Sequence, residues 1–178
     1  MRGMLVTILV MALTGVAGAS DKCEVQAGVP FASEFERQLV NYNRASDRLA
    51  TAGELTTDDI AGLWDMGFDV VVDVRPAAPE VIAEERKLVE AQGLAYYHLP
   101  YTDEGVAETD LAAFNTLIAD PQALRILVHC KRGSRAGGFV ATHYLSVGAD
   151  RGFALIAGRA AGLKPSMEEE LVARLDNG

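Results

Sequence analysis

Ile126-Leu127-Val128-His129-Cys130-Lys131-Arg132-Gly133-Ser134-Arg135 is the stretch that decides how this chain folds. Its apolar opening, from Arg125 to His129, predicts a strand buried on both faces. The pattern from Ala136 to Val147 predicts a helix. A cysteine between the two sits in a strand-to-helix turn, where backbone N–H groups and the positive end of a helix dipole face its sulfur. Lys131, Arg132 and Arg135 place positive charge beside it. Such surroundings favour thiolate over thiol, and the thiolate is the nucleophile. The same turn makes a cradle for an oxyanion such as phosphate or a sulfur oxyanion.

Outward from this turn, strands and helices alternate. Thr56 or Thr57 caps a short helix carrying Ile60, Leu63 and Trp64 on one face, with Gly67 as its stop, and Trp64 is expected in the core. Phe68 to Val74 is a β-branched run and predicts a buried strand. Pro79 to Gln92 predicts a helix, Leu94 to Leu99 a strand, and Asp110 to Ala119 a helix with Leu111, Phe114, Leu117 and Ile118 inward. Helices over Asp150 to Ala161 and Ser166 to Leu175 complete the chain. Regular alternation of this kind defines an α/β class with a small, mainly parallel sheet flanked by helices. Sites in such sheets open at the carboxyl ends of the strands. Cys130, Asp73-Val74-Arg75 and Tyr101-Thr102-Asp103 all lie at such ends, which predicts one shared pocket.

The 178 residues suffice for one domain with a real core, and 49% hydrophobic with 23% charged residues is a globular composition. Met1-Arg2-Gly3, the apolar stretch Met4 to Gly18 and the small-residue pattern Ala17-Gly18-Ala19 predict a cleaved signal peptide over 1–19. The other reading is an uncleaved N-terminal anchor. An N-terminal arm, 20–41, with a short helix over Ser33 to Val40, and a catalytic domain, 42–178, would follow, and the mature chain would be secreted or periplasmic with no membrane span. The formal net charge is −9, and loss of Arg2 makes the remainder more acidic. A surface of that sign repels nucleic acid and anionic lipid, so the cationic turn points to a small anionic partner. The chain has two cysteines, and Cys23 either stays apart from a free, reactive Cys130 or forms a reversible disulfide with it. None of its three histidines stands in an H-x-H or H-E-x-x-H array, so neither a metal nor another cofactor is expected.

His129-Cys130-x-x-Gly133-x-Arg135 resembles the turn of the cysteine phosphatase and rhodanese-like superfamilies. More of the chain shares one group's order and spacing. Asn43-Arg44, Thr51-Ala52-Gly53, Leu55-Thr56, Gly67-Phe68, Val74-Arg75-Pro76, Gly93-Leu94, His98-Leu99-Pro100 and Ala160-Ala161-Gly162-Leu163 are together similar to the beta-lactamase hydrolase-like, phosphatase-like family over about residues 42 to 164. The resemblance implies a dual-specificity-phosphatase-like fold, in a family labelled both phosphatase and sulfurtransferase.

On the phosphatase reading, Cys130 attacks phosphorus while Arg135 and the loop from Lys131 and Arg132 through Gly133 and Ser134 to Ala136 hold the equatorial oxygens. His129 would shape the loop through hydrogen bonds, and Asp103 would protonate the leaving oxygen and then activate water, with Glu104 in reserve. Asp103 also reads as a turn former in Thr-Asp-Glu-Gly. Four residues separate Cys130 from Arg135, where phosphatases usually place five. That is the rhodanese length, so sulfur transfer through a Cys130 persulfide stays open, as does a non-catalytic oxyanion-binding or thiol-redox module. Arg75 is expected to anchor the neighbouring loop, and Gly137 and Gly138 to let backbone pack close beneath the cysteine turn.

Overall fold

A computed structural model describes residues 39–122 and 124–177. The stretch expected to be a signal peptide, nearly all of the expected N-terminal arm and Cys23 lie outside the described residues. The elements run β1 (Asn43–Arg44), β2 (Leu49–Ala52), α1 (Thr57–Gly62), β3 (Val70–Asp73), α2 (Pro79–Ala91), β4 (Ala95–His98), β5 (Tyr101–Thr102), β6 (Gly105–Val106), α3 (Glu108–Ile118), β7 (Ile126–His129), α4 (Ser134–Ser146), α5 (Arg151–Ala160) and α6 (Pro165–Asn177). The main sheet has the order β1-β2-β7-β3-β4, parallel except for β1 at its edge. β5 and β6 form a separate antiparallel hairpin. The predicted α/β class, with a mainly parallel sheet between helices, is the fold observed.

β7 occupies the centre of this sheet, so the cysteine turn leaves from the best-buried strand. Side chains alternate across it. Leu127 joins Val71 in one core with Ile60, Leu63, Ile82 and Val89 of the α1–α2 side, while Ile126 and Val128 join Val70 and Val72 in a second core with Phe114 and Phe139 of α3 and α4. Every residue of β2, β3 and β7 is buried.

Local chemistry sets the element ends. Thr56 caps α1 through a reciprocal box, its hydroxyl accepting from the Asp59 N–H at 3.1 Å while its own N–H donates to the Asp59 carboxylate at 2.7 Å. Pro79 opens α2 at a position needing no N–H. Trp64 corrects an expectation: it is 58% exposed rather than core. The helix stops at Gly62, so the spacing that would carry Trp64 inward is not continued, and the buried positions are Ile60 and Leu63. In α3, Phe114 and Leu117 are buried, and Leu111 and Ile118 only partly so.

One close approach ties the C-terminal helices to α4. A Cβ placed on Gly137 would lie 2.1 Å from the Leu163 backbone nitrogen, and one on Gly158 would lie 2.8 Å from the Ala141 methyl. Gly137→Ala must therefore push the α5–α6 turn away from α4. We expect a loss of about 3 kcal/mol, at the upper end for overpacking because the neighbour is backbone, read as a lower melting temperature. Gly138→Ala, whose Cβ would meet the Tyr101 ring at 3.4 Å, should cost far less.

Candidate active site

The turn after β7 is held by its carbonyls. The Lys131 carbonyl accepts from the Glu54 N–H at 3.2 Å, the Arg132 carbonyl from Asn41 Nδ2 at 3.1 Å, and the Gly133 carbonyl from the Gly137 N–H at 3.1 Å. In a trans peptide the following N–H points opposite to its carbonyl. The N–H groups of Arg132, Gly133 and Ser134 are thereby turned to the inner side of the loop. The Gly133 N–H meets the Cys130 sulfur at 3.1 Å. Gly133 adopts φ +81°, a left-handed conformation glycine takes without strain, and α4 starts directly after it.

Cys130 is 3% exposed, yet it lines a cavity of about 450 Å3. Lys131, Arg132, Ser134 and Arg135 form one wall; Lys164, Ser166 and Met167, from the α5–α6 turn and α6, form the other. The Lys164 N–H donates to Ser134 Oγ at 3.1 Å and joins the two walls. Arg135 Nε is buried without a hydrogen-bond partner, a donor left open on a residue that lines the cavity.

Asp103 lies at the tip of the β5–β6 hairpin, its side chain 94% exposed, with Oδ1 3.6 Å from Arg135 Nη2. It is a turn residue and also lies against Arg135, which lines the cavity. Arg174 of α6 braces the hairpin by donating to the Asp103 carbonyl at 2.8 Å and to the Tyr101 hydroxyl. Glu104 instead accepts from the Thr102 hydroxyl at 2.7 Å, which holds its carboxyl below the ordinary range and makes it a poorer proton donor.

His129 is placed differently from expectation. Alternation along β7 sends its ring to the α2 side, away from Cys130, where both nitrogens are buried and neither makes an aligned hydrogen bond. Nε2 lies 2.8 Å from Glu85 Oε1 and 3.9 Å from Asp73 Oδ1. These belong to a buried polar cluster built around Arg75, whose guanidinium donates to Asp73 at 2.7 Å and to Glu85 at 2.6 Å. Tyr96 donates to both carboxylates, at 3.0 and 3.2 Å; burial and those two charges raise its pKa and keep the phenol protonated. Burial alone would raise the pKa of Asp73, but the Arg75 side chain, the neighbouring His129 and the Arg75 N–H together bring it below the usual value. Asp73, Glu85 and His129 present atoms that could converge on a metal ion, and both carboxylates already pair with the Arg75 guanidinium. Arg75 also lies 3.9 Å from Glu54, whose N–H holds the loop. It anchors the neighbouring segment, as its position in the sequence suggested.

The structure brings together Cys130, Arg135, Lys131, Arg132, Ser134 and, at the rim, Asp103. Gly133 supplies an N–H to the sulfur. Ala136 is fully buried in the α3–α4 core instead of the cavity wall. Lys164, Ser166 and Arg174 were not anticipated. Their proximity depends on how α5 and α6 fold back over α4, and no local pattern records it.

A parallel sheet whose central strand runs into a cysteine, an N–H-lined turn and an arginine at the head of a helix is the architecture of cysteine-phosphatase-like domains. The chain belongs to the family described as beta-lactamase hydrolase-like protein, phosphatase-like domain, whose model matches residues 41–163. A beta-lactamase hydrolase-like protein of Xylella fastidiosa (strain Temecula1 / ATCC 700964) is 32% identical over 103 residues, covering 56% of this chain but 23% of that relative's length. The chain thus matches under a quarter of that relative. Among solved structures, P. aeruginosa TpbA in complex with phosphotyrosine superposes with a TM-score of 0.56 at 22% identity, covering 75% of this chain and 82% of that one. The core catalytic domain of the S. cerevisiae PP-IP phosphatase Siw14, in complex with citrate, gives 0.54 at 14% identity, covering 75% and 84%. These likenesses establish the fold.

Proposed function

We propose that this protein is an exported cysteine-dependent phosphatase that hydrolyses a phosphate monoester through a phosphocysteine intermediate. The observation that carries the reading is the carboxylate of Asp103 3.6 Å from Arg135, a residue that lines the same cavity as Cys130. A leaving alcohol needs a proton there, whereas persulfide transfer has no use for one. The Cys130 thiolate attacks phosphorus, the ester P–O bond breaks, and Asp103 gives its proton to the departing oxygen. Water then attacks phosphorus, Asp103 takes its proton, the P–S bond breaks and inorganic phosphate leaves. Arg135 and the inward N–H groups hold the equatorial oxygens throughout. The family assignment and the phosphotyrosine bound to TpbA support this chemistry. The apolar leader from Met4 to Gly18 supports export.

The four-residue spacing from Cys130 to Arg135 favours a second reading, sulfur transfer through a Cys130 persulfide. Intact mass of the acid-quenched protein separates the two. After exposure to an aryl phosphate, Asp103→Asn should carry a phosphoryl group of about 80 Da, because breakdown of the intermediate lacks its base, and Cys130→Ser should carry none. An adduct of about 32 Da after thiosulfate, with cyanide removing it and no phosphoryl adduct under any condition, would establish the persulfide reading instead. Asp103→Asn should also slow phosphate release by about 10²-fold or more while leaving sulfur transfer untouched.

A further inference from the structure

The cavity holds more positive charge than one phosphoryl group uses. Arg135 and the loop N–H groups suffice for a single phosphate. Lys131, Arg132 and Lys164 also line the space, and among the described residues none of these three has a carboxylate within 4 Å. Several arginines elsewhere on this acidic chain are paired, Arg44 with Asp47, Arg86 with Glu90, Arg151 with Asp176 and Arg159 with Glu168, and an unpaired cation such as Lys87 stands on an open helix face rather than in a cavity with others. Unpaired like charges gathered around one cavity repel each other until an anion enters. Lys164 lines the cavity from the α5–α6 turn rather than from the cysteine loop, and its backbone is fixed there. Its N–H is bonded to Ser134 Oγ, and the Leu163 backbone is seated directly on Gly137.

We propose that Lys164, with Lys131 and Arg132, forms a second anion subsite, and that the ligand of this cavity is a compact small molecule bearing two or more phosphate groups. The identity of the first subsite rests on the phosphatase reading above; the second concerns binding and is testable without turnover. A phosphorylated protein loop would offer one phosphate to the loop wall and leave the Lys164 wall unused.

Calorimetry on the full chain carrying Cys130→Ser, at fixed ionic strength, compares orthophosphate with tripolyphosphate. Tripolyphosphate should bind at least about 10-fold more tightly. Lys164→Met should remove about 10-fold of that affinity and change orthophosphate binding less than about 2-fold, with Lys131→Met/Arg132→Met as an independent second variant. Lys87→Met, which removes the same charge from the exposed face of α2 across the sheet, should change neither. Equal affinity for the two anions, or equal losses from Lys87→Met and Lys164→Met, overturns the subsite. Phosphate release from 4-nitrophenyl phosphate by the unmodified protein is read in parallel. Selective tripolyphosphate binding without any turnover would sink the phosphatase reading and leave the subsite standing; turnover without selectivity would do the reverse.

Discussion

Replacing Arg135 by lysine should lower kcat/KM for an aryl phosphate by about 10³-fold, with the melting temperature unchanged or raised. Lysine keeps the charge but lacks the planar fork that meets two oxygens at once. The stability half of the prediction comes from Nε, which is buried and has no hydrogen-bond partner in the free protein. An unsatisfied buried donor costs about 1–3 kcal/mol, so its removal relieves the fold while disabling the site. The 3.6 Å approach to Asp103, whose side chain is almost wholly solvated, offsets little of that cost. Kinetics and thermal melting of Arg135→Lys and Arg135→Met decide the matter. A lower melting temperature with activity retained would mark Arg135 as a structural residue and remove the basis for the mechanism.

Arg75→Met should have the opposite signature, a loss of about 3–5 kcal/mol. Asp73 is fully buried and Glu85 nearly so, and without the guanidinium two carboxylates face each other without the cation that pairs with both. For a domain of this size such a loss lowers the melting temperature by roughly 10 °C or more. Asp73 adds a pH dependence. Its folded pKa lies below the unfolded value of 3.8, so the unfolded chain binds the proton more readily. The stabilisation is complete above that value and is lost as pH falls through the lower folded pKa. Arg75→Met should flatten this acid limb, as denaturation followed from pH 5 to pH 2 would reveal. An undiminished limb in the variant would mean that Asp73 is held by something other than Arg75.

The sequence announced the central strand, the turn and its helix because their signals are local: a β-branched or apolar run, then cysteine, glycine and a helical period. β2 leaves no mark in the sequence because Leu49-Ala50-Thr51-Ala52 has little strand propensity of its own. It is a strand because small side chains fit beneath α4 and the neighbouring turn, where Thr51 donates to the Ala161 carbonyl at 2.7 Å. The β5–β6 hairpin is two residues per strand, too short for any alternation to show. Within the candidate site, residue type and order alone point to Cys130, Arg135 and Asp103, and the structure brings Asp103 against Arg135. The direction of His129 was implicit in the two-residue strand period, but its role was drawn from the resemblance instead. Lys164 and Arg174 lie about thirty or more positions from their partners in the site, a distance at which sequence carries no pairing signal.

The loop around Cys130 owes its shape to three carbonyls gripped by Glu54, Asn41 and Gly137, and two of those three grips use only main-chain atoms. Lys131 and Arg132 contribute nothing to the frame except peptide groups that any residue would bring. Exchanging them should therefore leave the presentation of the sulfur undisturbed, and on the proposed anion-binding role the same scaffold would be retuned from one anion to another by changing side chains alone.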